Sequence, residues 1–195
     1  KINIGGTKNI LEVCDKYGVR MLFASTCCCY GNNGIDKSDE TSIIAPTEAY
    51  ARSKASSEQD ILKVGLPHCC MRLSTFYGAD MRIALAPGTF MTRLHNEDVL
   101  NIHGNGKQTR NMTYVDDVVS GIITIALTEP KYEIINVVSN DVVSVIDMAN
   151  VTAEVMDKKD VLKMVHVTDR DGQIKHENIQ NKRLRSLGWK PETNF

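Results

Sequence analysis

The sequence predicts an α/β fold built around a parallel sheet. Short apolar runs rich in strand formers alternate with longer segments of helical period. The strand-like runs are apolar throughout rather than at every second position, as strands covered on both faces are. The connections between them are short and carry turn chemistry.

Residues 4–17 (IGGTKNILEVCDKY) place Ile4, Ile10, Leu11, Val13 and Cys14 on one helical face. VRMLFAST, residues 19–26, reads as a buried strand, and residues 32–46 as a polar loop. EAYARSKASSEQDILKVG, residues 48–65, reads as a helix closed by Gly65 with Pro67 beyond it. HCCMRLSTFYG, residues 68–78, reads as a second buried strand, and a further helix is expected around 87–96. Residues 99–115 read as a strand, a Gly-Asn-Gly turn and an extended segment. VDDVVSGIITIALTE is a helix ended by Pro130, with Asp116 and Asp117 expected to cap it, and YEIINVVS is a third buried strand. Ser144 and Asp147 form a capping box for a helix over 144–158, and Gly188 and Pro191 stop a last helix in LRSLGWKP.

A chain of 195 residues suits one domain, or one domain with a small satellite. Its net charge of −1 offers no footprint for nucleic acid or an anionic membrane. Its longest apolar runs fall far short of the ~20 residues that span a bilayer. The N-terminus is amphipathic and unlike a secretion signal. The six cysteines cluster as Cys27, Cys28, Cys29 and as Cys69, Cys70, with Cys14 apart, and no C-x-x-C occurs. Reduced thiols in a cytoplasmic protein, with no metal, are the expectation. The five histidines show no ligand spacing.

One constellation carries chemistry. Tyr50 and Lys54 stand at i and i+4 of one helix and so share a face. An ammonium beside a phenol favours the phenolate and makes it a better base at neutral pH. Thr26 ends a buried strand, at the carboxyl edge where ligands bind in open α/β sheets, and its hydroxyl could share a substrate proton. Alone, the Y-x-x-x-K spacing is also what a solvated helix face produces.

The remaining motifs give that spacing a context. NIGGTKNILE, FASTCCCYG, YARSK, MRLSTFYGADMR, HGNGKQTRNMTYVDDVV and LRSLGWKP follow one another from residue 3 to about 192. Together they resemble the extended short-chain dehydrogenase/reductase family, the NAD-dependent nucleotide-sugar epimerases and dehydratases. The resemblance implies the C-terminal part of a Rossmann-like doubly wound parallel sheet (residues 1–78 and 111–139). It adds a small α+β substrate-binding subdomain (79–110 and 140–195). The family's Gly-rich turn is absent from this sequence, so the expectation is a fragment of a longer protein, or else a truncated scaffold relative.

The resemblance implies an epimerase acting on a nucleotide-activated sugar through transient oxidation at C4. Tyr50 would take the proton from a sugar hydroxyl, Thr26 would hydrogen-bond the same oxygen, and Lys54 would hold the nicotinamide ribose. Asn3 would line the channel of NAD, with NADP as the alternative. Thr75 would contact the sugar, and Arg110 and Arg170 would pair with the pyrophosphate. A homodimer through helices 4–17 and 50–64 is implied as well. Arg72 is either a structural anchor at a strand edge or a site residue, and Arg82 is expected on a surface loop.

Two departures matter. Dehydrating relatives carry Asp-Glu after the catalytic threonine, where this chain has Cys27 and Cys28, and a thiol does not replace a ready carboxylate. Cys28 also matches the cysteine of 3,5-epimerases, so it is either pocket wall or an acid–base group. A keto-sugar nucleotide reductase is the other enzymatic reading.

Overall fold

Helix α1 (Ile2–Tyr17) opens a computed structural model that describes residues 2–33 and 36–195. The apolar face expected of α1 is split in two. Leu11 is buried and Cys14 packs partly beneath it, whereas Ile10 and Val13 are more than half exposed. One residue along a helix is about 100° around it, so positions 10, 13 and 17 face outward when 11 faces the sheet.

Strand β1 (Met21–Thr26) follows, and a single 3-10 turn, Cys27–Cys29, ends it. Helix α2 (Ala49–Leu62) stops three residues before Gly65, with Lys63 as its C-cap in ordinary helical conformation. The apolar run expected as one strand divides at Ser74 into β2 (His68–Leu73) and β3 (Thr75–Tyr77). Helix α3 (Ala86–His95) has Pro87 near its start, where a missing N–H costs nothing. Then come β4 (Leu100–His103), β5 (Thr109–Tyr114), α4 (Val115–Thr128) and β6 (Ile134–Val137). Strand β7 (Val142–Ser144), α5 (Val145–Val155), β8 (Met164–Val167) and α6 (Lys182–Ser186) complete the chain.

The main sheet is parallel in the order β1-β2-β6, and among the described residues β1 is paired on one side only. Alternation along its strands feeds two layers of core. Met21, Phe23 and Cys70 meet Leu11 and Ile61 from α1 and α2. Cys69, Met71, Ile135 and Val137 meet Val118 and Ile125 of α4, with Leu184 and Trp189 from the C-terminal segment. The neighbours Cys69 and Cys70 therefore lie on opposite faces of the sheet, and all six thiols are free.

At Ser74 the chain leaves the main sheet for a second one, β3-β5-β7, in which β5 runs parallel to β3 and antiparallel to β7. The expected strand, Gly-Asn-Gly turn and extended segment of residues 99–115 are present as β4, a turn and β5, which do not pair with each other. Positive φ at Gly104 and Gly106 turns the chain, but β4 pairs in parallel with β8 and β5 joins the second sheet. Leu94, Leu100, Ile102, Met112 and Met148 fill a separate core there. The Ser144 hydroxyl accepts the Asp147 N–H (3.0 Å) and donates to the Asp147 carboxylate (2.6 Å), which starts α5. Asp117 does not cap α4: its carboxylate accepts the N–H groups of Glu192 and Thr193, tying down the C-terminal tail.

Arg72 is buried and structural. Its guanidinium forks onto both oxygens of Glu58 from α2, at 3.0 and 2.7 Å, and its carbon lies 4.8 Å over the Tyr30 ring. The Ser25 hydroxyl donates to the same carboxylate at 2.5 Å, and the Tyr30 hydroxyl donates to Asn136 of β6 at 2.8 Å. Burial opposes the charge on Arg72, but Glu58 and Tyr30 hold it protonated. Arg72→Met strands the Glu58 carboxylate and should cost about 3–5 kcal/mol in urea unfolding, whereas the double variant Arg72→Met/Glu58→Leu should recover most of the loss. Equal losses in both variants would show that the charge pairing is not what matters.

Candidate active site

The site is built where β1 ends. Thr26 closes the strand in extended conformation, and its side-chain oxygen accepts the N–H of Cys28 at 3.2 Å, starting the 3-10 turn. That turn points the three thiols in different directions. Cys27 is buried against Val138 and Ile179 and donates to the Arg72 carbonyl, and Cys29 is buried against α2 and donates to the Ala51 carbonyl. Cys28 alone faces a cleft. Burial pushes the Cys28 thiol up and lifts Cys29 to about 11, so neither is a thiolate at neutral pH.

Helix α2 starts at the same level and brings Tyr50 and Lys54 to the carboxyl edge of β1. Tyr50 is half exposed. Burial of the phenol raises its pKa above the ordinary value, Cys28 and Cys29 raise it further, and the Thr26 hydroxyl pulls it down. The expected lowering by Lys54 is not found in the structure. The Lys54 ammonium donates to the Ala24 carbonyl at 2.8 Å, lies over the Phe23 ring at 4.8 Å, and is 6.0 Å from the centre of the Tyr50 ring. The pair share a helix face, but the lysine's charge is directed to the backbone of β1.

Asn3 is not brought into the cleft. Its amide donates to Ser53 at 3.0 Å, and the Ser53 hydroxyl donates to the Tyr50 carbonyl at 2.7 Å. The first turn of α1 is thereby clipped to the turn of α2 that carries Tyr50.

Two clefts meet at Glu48, Thr75 and Leu85. The tighter one, about 370 Å³, brings Cys28, Thr75, Arg110 and Arg170 together. The wider one, about 820 Å³, holds Tyr50, Thr75 and the exposed Arg82. Arg110 is fixed on β5, donating to the carbonyls of Thr109 (2.7 Å) and Ile174 (2.9 Å), while Arg170 is exposed on a loop. Thr26 itself is buried and lines neither cleft, and the arrangement suits an elongated ligand with a hydroxyl-bearing group at Tyr50 and an anionic group at the two arginines.

Three residues of this region escaped the sequence reading. Glu48 stands two residues before Tyr50, and that adjacency was its signal. Gln108, in the same motif as Arg110, is buried and donates to the His103 carbonyl at 2.8 Å. Glu177 is a buried carboxyl in a stretch, IKHENIQ, that reads as a polar loop and gives no signal.

Comparison with known proteins agrees with this fold. The sequence matches the NAD dependent epimerase/dehydratase family over residues 1–138. It is 28% identical over 201 residues to dTDP-D-glucose 4,6-dehydratase of Mus musculus, covering 98% of this chain and 57% of that protein. With UDP-glucuronate 4-epimerase of Thermodesulfobacterium geofontis it shares 29% identity, covering 97% and 60% respectively. The crystal structure of UDP-glucose 4-epimerase from Thermotoga maritima with UDP-glucose superposes with a TM-score of 0.90 at 26% identity, over 98% of this chain and 65% of that one. The chain thus spans less than two thirds of the length of these relatives. With a family match across most of its length and the same α/β architecture, the chain belongs to the NAD dependent epimerase/dehydratase family.

Proposed function

We propose that the protein carrying this chain epimerises a nucleotide-activated sugar at C4. The observation that carries the reading is the approach of the Tyr50 phenol to the buried Thr26 hydroxyl at the carboxyl edge of β1, with Tyr50 lining a cleft that adjoins the one holding Arg110 and Arg170. NAD, when bound, supplies a hydride acceptor that returns the hydride with no net oxidation. The donors present suit its nicotinamide end: an ammonium and a phenol, one helical turn apart, at the edge of the outermost strand. Tyr50 and Lys54 would hold it, with Asn3 at the same corner of α1 and α2.

In this reading Tyr50 takes the proton of the C4 hydroxyl and gives it back, and Thr26 holds the oxygen through the exchange. Burial keeps Tyr50 a phenol, so the base forms when positive charge is brought beside it. Thr75 would contact the sugar, and the diphosphate would be held by Arg110 and Arg170. Dehydration is disfavoured because the turn after Thr26 offers protonated thiols instead of carboxylates.

Residues 1–78 with 111–139 would then form the cofactor half, and 79–110 with 140–195 the substrate half. Exposed Ile10 and Val13 on α1 support a homodimer through helices 4–17 and 50–64. The free thiols suit the cytoplasm. A second reading, a 3,5-epimerase, is favoured by one observation: Cys28 is the thiol that faces the cleft.

Incubating the full-length protein with UDP-, GDP- and dTDP-sugars should yield the C4 epimer with no consumption of added NADPH; stoichiometric NADPH oxidation would mark a reductase instead. Tyr50→Phe should lower turnover by about 10²–10⁴-fold without loss of sugar-nucleotide binding, and undiminished turnover would remove Tyr50 from the chemistry. Cys28→Ser separates the two epimerase readings. A fall of about 10²-fold or more assigns proton transfer to the thiol, and a small change leaves it as cleft wall.

A further inference from the structure

Behind the wall of the tighter cleft lies a carboxyl group that the proposed reaction does not use. Glu177 is 4% exposed. Its segment is stitched to β5 on either side of Arg110. Its N–H donates to the hydroxyl (3.1 Å) and the carbonyl (3.3 Å) of Thr109, whose hydroxyl also reaches the Glu177 carbonyl at 3.3 Å. Its carboxylate accepts the Asn111 N–H at 3.3 Å. The carboxyl therefore lies along residues 109–111, beyond ion-pair distance of the Arg110 guanidinium but within reach of its charge, and the Arg110 side chain lines the cleft. The groups that face it are Arg110 from β5, Cys27 and Cys28 from the turn after β1, and Tyr30 and His176 across a small void. Of these, Arg110 is the one strong cation.

We propose that Glu177 is a positioning residue that couples a proton to nucleotide binding: ionised, it offsets the charge of Arg110 from beneath, and protonated, it leaves that charge free for an incoming diphosphate. The coupling rests on the reading of Arg110 as a diphosphate partner given above. A carboxylate fixed beside a guanidinium weakens the guanidinium's pull on any second anion, and a diphosphate on the far side weakens the pull on the carboxylate.

The sign follows from linkage. Burial pushes the Glu177 carboxyl up to about 7, although Arg110 and the Asn111 N–H pull it down. A diphosphate at Arg110 adds negative charge, so the ligand-bound value lies higher than the free one. Binding then takes up protons at pH values around and above the free value. Affinity is full at lower pH, falls as pH rises through about 7, and levels off above the ligand-bound value.

Isothermal calorimetry on the full-length protein tests this with UDP-, dTDP- and GDP-glucose, whose diphosphate diesters do not titrate between about pH 6 and pH 8.5. At a pH just above the free value, the binding heat should differ between buffers of unlike ionisation enthalpy, reporting uptake of up to about one proton. The dissociation constant should weaken by up to about tenfold per pH unit across the window. Glu177→Gln should flatten both and bind at the upper pH as the wild type does at the lower. Equal heats in both buffers with a pH-independent affinity of the wild type overturn the coupling, as does proton uptake that survives in Glu177→Gln. If none of the sugar nucleotides binds, the reading of the cleft fails and the coupling falls with it, an outcome distinct from pH-independent binding.

Discussion

The buried carboxylate of Glu58 is the point on which the site's geometry depends. It belongs to α2, two turns beyond Tyr50, and it receives Ser25 from β1 and Arg72 from β2 at once. Ser25 immediately precedes Thr26, so one carboxylate fixes the height of the helix bearing the phenol against the strand bearing the hydroxyl. Arg72 passes the constraint on, through its stack on Tyr30, to Asn136 in β6. Burying two charges gives little net stability, since desolvation cancels most of the attraction. What the pair provides is position: a bidentate fork between rigid elements tolerates little sliding. Asn3 and Ser53 add a second clip at the outer end of the same helix.

Much of this was legible in the sequence, and the legible part has a physical reason. Thr26, Tyr50 and Lys54 depend on the period of a strand and a helix, which the order of residues encodes directly. Helix α3 and the start of α5 were legible for the same reason. What was hidden depends on partners distant in the chain. Strands β7 and β8 are three and four residues long, half exposed, and exist because β5 and β4 offer them ladders. The break at Ser74 leaves no mark in the run HCCMRLSTFY, because both sheets want the same residue types there. The direction of the Lys54 ammonium, the tail held by Asp117, and the burial of Glu177 are likewise decided by tertiary neighbours. Arg72 had two open readings, and only its encounter with Glu58 separates them.

The cysteine triplet shows how one short turn divides labour. Read as a continuing strand, it would have put Cys27 and Cys29 on one face. The 3-10 geometry instead buries Cys27 against Val138, just past β6, and the C-terminal segment, buries Cys29 against α2, and leaves Cys28 at the cleft. Thiols are small enough for such close quarters and need no strong hydrogen-bond partner. Two of the three are therefore packing groups, and their high pKa values keep negative charge away from Tyr50. The site itself lies on the seam between two cores, since Thr75 starts β3 in the second sheet while Tyr50 leans on the first. In the proposed reading, binding at one end and chemistry at the other would thus be served by separately packed units.

The one-sided pairing of β1 has a consequence for handling the 195-residue chain by itself. Its outer edge presents the backbone groups of alternate residues of a six-residue, mostly apolar strand with no proline or bulge, although the Ala24 carbonyl is already held by Lys54. Such an edge is a template: a second chain can dock on it in register and continue the sheet. Preparations limited to these residues are therefore prone to self-association through β1, and solubility would improve with any segment that occupies that edge.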